Sequence, residues 1–235
     1  MKNAIIQKST IKFLKGLAKN NNRDWFEANK QVYLNAQQNM IDFADQLIVE
    51  MNKHDDIEDE SGKKSLYRIY KDVRFRKDKS PYNPRFACGL QRATKLRRGG
   101  YYLNIKPGNS FLGCGFFSPN PEDLKRIRQD IDGNYDAWKK ILRNKAIKEN
   151  FGSIQGDAVV TAPKGYSIDN PAIELLRHKQ FVFRHYFTDE EVVSEDFLKE
   201  VNRIFKSIRP YFNHMSEVLT TNLNGESVFR GNMEG

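Results

Sequence analysis

Apolar residues recur along this chain with two periods, and the period changes twice. The first segment is helical: Ile11, Leu14, Leu17 and Ala18 fall on one face, with Ser9 or Thr10 as cap and Asn20-Asn21-Asn22 as stop. Asp24 then caps a longer helix with Trp25 and Phe26 in its first turn. Tyr33, Ala36, Met40, Phe43, Leu47 and Met51 follow at spacings of three and four, a stripe that predicts core packing. An acidic connector follows, His54-Asp55-Asp56 and Glu58-Asp59-Glu60. The middle third turns to period 2. A strand is predicted from Tyr67 to Arg76, then others over Arg85–Arg92, Tyr101–Lys106 and Ser110–Phe117, joined by Gly-containing turns. Gly113 and Gly115 inside the last of these predict a bulge or a close approach of another group.

Helical spacing returns after Phe117. Ser118-Pro119-Asn120-Pro121 with Glu122 and Asp123 reads as a helix start, and Leu124, Ile127 and Ile131 form the apolar face. A further helix over Tyr135–Leu142 buries Trp138 and Leu142. Residues 150–170 read as irregular, with a short strand at Ala158–Thr161. A helix over Ala172–His178, a strand over Phe181–Phe187 and a capping box at Thr188 come next. Phe197, Val201, Ile204, Phe205 and Ile208 mark a long helix that Pro210 interrupts. The predicted class is α+β: a central antiparallel β-meander flanked by N-terminal and C-terminal helices. It forms one domain over residues 1–222, with a loose tail over 223–235.

Composition narrows the function classes. Across 235 residues, 39% hydrophobic and 12% aromatic content indicates a folded globular chain rather than a disordered one. No run approaches the ~20 apolar residues of a membrane span, and the N-terminus lacks a signal-peptide pattern, so a cytoplasmic protein with no membrane partner is expected. Cys88 and Cys114 are expected as reduced, buried thiols on neighbouring strands. The net charge of +9 is unevenly placed: residues 61–106 hold fourteen Lys and Arg against two Asp, a local +12. Such a surface faces an anionic partner.

The densest chemistry is RIYKDVRFRKDKSPY, Arg68 to Tyr82. Read as a strand, it puts Tyr67, Ile69, Val73 and Phe75 on a core face, with Lys71 the misfit. The other face then presents Arg68, Tyr70, Asp72, Arg74 and Arg76. Guanidiniums supply planar, paired donors suited to phosphate or carboxylate. The candidate ligand-binding residues are therefore Arg68, Tyr70, Arg74, Lys79 and Tyr82, with Asp72 as the candidate catalytic group, orienting an arginine or accepting a proton. Two other classes compete. One is nucleic-acid binding across the basic meander, with Tyr101, Tyr102, Phe116 and Phe117 as stacking platforms. The other is a structural network of ion pairs sealed from water. The four histidines, His54, His178, His185 and His214, show no metal-ligand spacing. No nucleotide fingerprint or nucleophile elbow is present, so no cofactor or metal is called, and the oligomeric state is not specified.

The blocks NNNRDWFEANKQVY, RIYKDVRFRKDKSPY, GYYLNIKPGNSFLGCGFFSP and KGYSIDNPAIELLRHKQF, in that order, resemble the signature of the bacterial family called domain of unknown function 2461, which also occurs inside fungal proteins. The resemblance spans roughly residues 9 to 210. It implies no activity, but it implies that Arg68, Asp72, Arg74, Phe75, Lys79 and Tyr82 match the family's hallmark pattern. Lys71 stands where the family usually carries Arg, and Asn170 where His is frequent.

Overall fold

A computed structural model describes residues 4–75, 77–221 and 226–227. Its elements, in chain order, are α1 (Lys8–Lys19), α2 (Arg23–Ala28), α3 (Lys30–Met51), α4 (Gly62–Ser65), β1 (Phe86–Gln91), β2 (Gly100–Ile105), β3 (Ser110–Phe116), α5 (Pro121–Gly133), α6 (Tyr135–Leu142), α7 (Lys145–Phe151), α8 (Ile173–Leu176), β4 (Phe181–Phe187), α9 (Asp189–Val192), α10 (Phe197–Ser207) and α11 (Arg209–Thr220). The strands form one antiparallel sheet in the order β1-β2-β3-β4, so the chain is α+β with helices on both sides of the meander in sequence. Its contacts resolve into two compact units, each assembled from three segments.

The first unit comprises Met1–Gln91, Tyr101–Leu112 and His185–Lys206. The first helical pattern ends where expected, but its cap is Gln7, because Thr10 is buried and donates to Asn39 Oδ1 at 2.8 Å. The second is two helices, not one. Asn22, not Asp24, is the cap, its side chain accepting from Trp25 N at 2.9 Å. Asn29 breaks the run, and its Nδ2 satisfies the Trp25 carbonyl left at the end of α2 (2.8 Å). The α3 stripe buries Tyr33, Ala36, Met40, Phe43, Leu47 and Met51 as the spacing predicts. Phe86, Cys88 and Leu90 are buried in β1, as are Tyr101, Leu103 and Ile105 in β2. Tyr101 packs edge-on to Phe205 of α10 (4.9 Å) and donates its hydroxyl to Asp55 (2.6 Å). The Thr188 capping box opens α9 as predicted.

The second unit comprises Arg92–Gly100, Gly113–Arg184 and Ser207–Gly235. Trp138, Phe181, Phe183, Tyr211 and Phe212 are fully buried, and the Tyr211 hydroxyl donates to the Phe181 carbonyl (3.0 Å). Gly115 explains its own presence in β3. Its φ is +130°, and a Cβ there would stand 2.2 Å from the Phe181 carbonyl oxygen. The predicted close approach is a neighbouring backbone. Within the predicted helix start, Asn120 caps α5 and Pro121 opens it. The strand expected at Ala158–Thr161 reduces to a single bridge, Ala158 to His178, with Val160 turned out to solvent. Pro210 separates α10 from α11 at Ile208, as its missing N–H requires. Both cysteines are free and buried, but on β1 and β3, which β2 separates, so they are not strand neighbours. The tail expected beyond Asn222 lies mostly outside the described residues.

Candidate anion-binding site

The stretch predicted as the first strand of the meander is not a strand. Leu66 bridges to Cys88 and Tyr70 to Tyr82, and between Lys71 and Pro81 the chain is irregular. The sequence holds the reason. Lys71, the misfit of the alternation, turns its ammonium to Asp78 Oδ2 and Ser80 Oγ, both at 2.8 Å. Asp78 in turn accepts from the Ser80 N–H (2.9 Å), so short polar side chains satisfy the backbone locally and compete with a ladder. Lys71 first, and Ser80 second, hold the Asp78 carboxyl well below its ordinary value. The face assignment falls with the strand. Ile69 is buried, but Phe75 is 96% exposed and Tyr67 is 58% exposed, so neither belongs to a core. Arg76 lies outside the described residues.

Two devices hold the loop in the first unit. Tyr82 is buried with its ring stacked on Phe26 at 4.1 Å and 15°, and Tyr70 packs against both rings, 5.9 Å from Phe26 and 5.3 Å from Tyr82. Asn21 is the second device. Its Nδ2 donates to the Tyr82 carbonyl (2.9 Å) and its Oδ1 accepts the Tyr82 N–H (3.1 Å), so one amide side chain does what a neighbouring strand would do. On the opposite edge, Lys71 N donates to the Pro81 carbonyl and Asn83 N to the Ile69 carbonyl, closing the bridge.

The two devices create a concavity of about 540 Å³ lined by Asn21, Asn22 and Arg23 on one wall and by Val73, Lys79, Ser80 and Pro81 on the other. Lys79 donates to the Val73 carbonyl at 3.1 Å and the Arg74 carbonyl at 3.4 Å, fixing the loop's curvature while its charge stays at the surface. Asp72 grips Arg74 as a fork, Oδ1 to Nε at 3.0 Å and Oδ2 to Nη2 at 2.7 Å, with the Arg74 N–H on Oδ1 at 3.2 Å. That pair is open to water, the side chains being 77% and 60% exposed, so it is not the sealed network a purely structural motif requires. Arg68 is exposed, with no hydrogen-bond or ion-pair partner among the described residues. Burial works to lower the Lys30 pKa, but the neighbouring Tyr70 phenol outweighs it and leaves the ammonium above its ordinary value. Tyr82 is an anchor: burial pushes its phenol above the ordinary value and keeps it neutral. Arg23 was not singled out from the sequence, although it stands in the first signature block. The signal that could have found it is the adjacent run of asparagines, which needs backbone partners elsewhere in the chain.

The family described as conserved hypothetical protein (DUF2461) matches residues 9–214. The chain belongs to this family. No curated protein and no solved structure matches it. The DUF2461 blocks that are far apart in sequence are therefore joined in space: the Asn21 amide of the first clamps Tyr82 of the second. Of the departures from the family pattern, Asn170 is occupied structurally. It donates to Asp132 (2.6 Å) and accepts the Ala172 N–H (2.8 Å) in the turn before α8. Two of the stacking candidates named from sequence are interior: Tyr101 and Phe116 are buried, whereas Tyr102 is half-buried and Phe117 exposed. Among the described residues no cluster of His, Cys, Asp and Glu could hold a metal ion, and no helix is long and apolar enough to cross a membrane.

Proposed function

We propose that the Arg68–Tyr82 loop and the Asn21–Arg23 corner bind a small phosphorylated or carboxylated ligand in the cytoplasm. The observation that carries this reading is the concavity walled by both signature blocks, with Arg23 and Lys79 at its walls and the Asp72-gripped Arg74 on the same loop. Arg23 has no hydrogen-bond or ion-pair partner among the described residues, so a ligand's anion would gain a planar donor at no cost in broken pairs. In this reading Asp72 orients Arg74 through both carboxylate oxygens and takes the proton of a bound ligand.

Differential scanning fluorimetry with inorganic phosphate, sugar phosphates, nucleoside phosphates and small carboxylates tests this. A ligand at 100 times its dissociation constant stabilises by about 2.7 kcal/mol. For a chain this size that raises the midpoint by about 5–10 °C. The shift should vanish in Arg23→Ala and Arg74→Ala while both variants melt like the parent without ligand. Equal shifts in parent and variants, or none with any anion, would remove the proposal.

A further inference from the structure

We propose that the open face of the sheet within the first unit is a stacking platform for single-stranded nucleic acid. Four aromatic rings stand in a row: Tyr67 to Tyr102 at 6.0 Å, Tyr102 to Phe111 at 5.8 Å, and Phe111 to Tyr186 at 5.7 Å. They come from the segment bridged to β1 and from β2, β3 and β4, so one ring is contributed at each step across the sheet. Their sequence neighbours Tyr101, Leu103, Leu112 and Phe187 are buried, so alternation turns the row to the other side. A sheet face turned to water is ordinarily polar. Here Tyr67 and Tyr186 are 58% and 55% exposed, and Tyr102 and Phe111 are partly so.

The row is held in shape. Arg85 donates through Nη1 to the Tyr102 hydroxyl and to Asn104 Oδ1 (2.8 Å), with its guanidinium 6.0 Å from the Tyr102 ring. Tyr67 lies over Gly89, where a Cβ would come within 2.8 Å of the phenol oxygen. Rigid rings lose little freedom on binding, and each can stack one base irrespective of its identity.

Charge selects the occupant. The cations that adjoin the row are Arg85, its guanidinium 6.0 Å from the Tyr102 ring, and Arg68, next to Tyr67 in sequence and exposed. The acids Glu58 and Asp59 sit at the Gln91 end of β1, where Asp59 accepts the Gln91 N–H. An aromatic platform for a neutral glycan would need free amides or carboxylates to read hydroxyls. Asn104, two residues from Tyr102 on the same strand, is buried and already joined to Arg85 and to the Asn109 carbonyl. A phosphodiester strand of about four nucleotides matches both the rings and the charge.

The test is fluorescence anisotropy of the full chain with labelled dT12 and U12, over 50–300 mM salt. Binding should weaken linearly with log salt. Phe111→Ala and Tyr186→Ala should each weaken it about 5- to 150-fold, and Tyr186→Phe should restore it. Gly89→Ala should weaken it by displacing the Tyr67 ring, and Lys145→Ala, an exposed cation outside the charged window and both sites, should leave it unchanged. Circular dichroism melts establish that each variant is folded. The proposal is overturned by absence of binding at 50 mM salt, by ring variants that bind like the parent, by duplex DNA that competes as well as single strands, or by retention on a neutral glycan matrix instead.

Discussion

Asn21→Ala isolates the clamp that joins the two signature blocks. The substitution removes two hydrogen bonds at 2.9 and 3.1 Å and leaves the Tyr82 N–H and carbonyl without protein partners on that edge. Each bond contributes about 0.5–1.5 kcal/mol net, and an orphaned buried group costs about 1–3 kcal/mol. Both backbone groups are only partly buried, so the lower ends apply, about 2 kcal/mol in all. That is a sizeable share of the ~5–15 kcal/mol that holds a domain together. Urea unfolding at equilibrium should show this loss at an unchanged m-value, with the thermal midpoint down by about 4–8 °C. Asn21→Asp keeps the acceptor and loses the donor, so it should fall between parent and alanine. Trypsin should cut the variant faster between Arg74 and Lys79, because the loop loses its tether while its basic residues remain. A loss under about 0.5 kcal/mol, the range of an ordinary surface substitution, would refute the clamp argument.

Three further outcomes follow from the second unit and the thiols. Asp130 accepts from Asn134 Nδ2 (2.7 Å), Trp138 Nε1 (2.7 Å) and His214 Nε2 (2.8 Å). Burial would raise its pKa, but these donors, His214 foremost, outweigh it and leave the carboxyl below its ordinary value. A lowered folded pKa stabilises above the unfolded value and is lost as pH falls through the folded one. Asp130→Asn should therefore destabilise by about 2–4 kcal/mol at pH 7, and by progressively less below pH ~4 in acid melts; a constant difference across that range would contradict the reading. Gly115→Ala places a Cβ 2.2 Å from the Phe181 carbonyl oxygen at φ +130°, so a loss of about 3 kcal/mol or failure to fold is expected, read by soluble yield and melting. Burial pushes the Cys88 thiol up to about 12 and Cys114 well above its ordinary value, so Ellman's reagent should label neither until the chain is unfolded.

Periodicity made the longer helices and the four strands legible because each buries one face, and burial is what a repeat of 3.6 or 2 records; the short α4 and α7 were not read from it. The boundaries it missed share a cause. Asn22 and Asn29 end or start helices through side-chain bonds that a hydrophobic stripe does not show. The Tyr67–Arg76 alternation misled for a different reason: only Ile69 of its apolar set is core, and Lys71, Asp78 and Ser80 satisfy one another instead of a partner strand. The charged cluster was visible as composition. Arg23 was not, because its place in the site depends on the Asn21 clamp, a contact between residues 61 positions apart. The aromatic row was invisible for the same reason, its rings lying between residues 67 and 186.

The loop separates into side chains that hold it and side chains that are held out. Tyr82, Asn21 and Lys71 do the holding through a ring stack, an amide clamp and an internal ion pair. Arg74 is aimed by Asp72 without being buried, and Arg68 and Arg23 are exposed with no hydrogen-bond or ion-pair partner among the described residues. If the signature existed to stabilise the fold, its arginines would be engaged and their removal would be felt. Since an exposed pair contributes about 0–1 kcal/mol, the triple variant Arg23→Ala, Arg68→Ala, Arg74→Ala should lose no more than about 1 kcal/mol in urea. It should lose all response to the anions that stabilise the parent. A triple variant that unfolds by several kcal/mol would mean that the arginines carry structure after all, and that the concavity beside them is incidental.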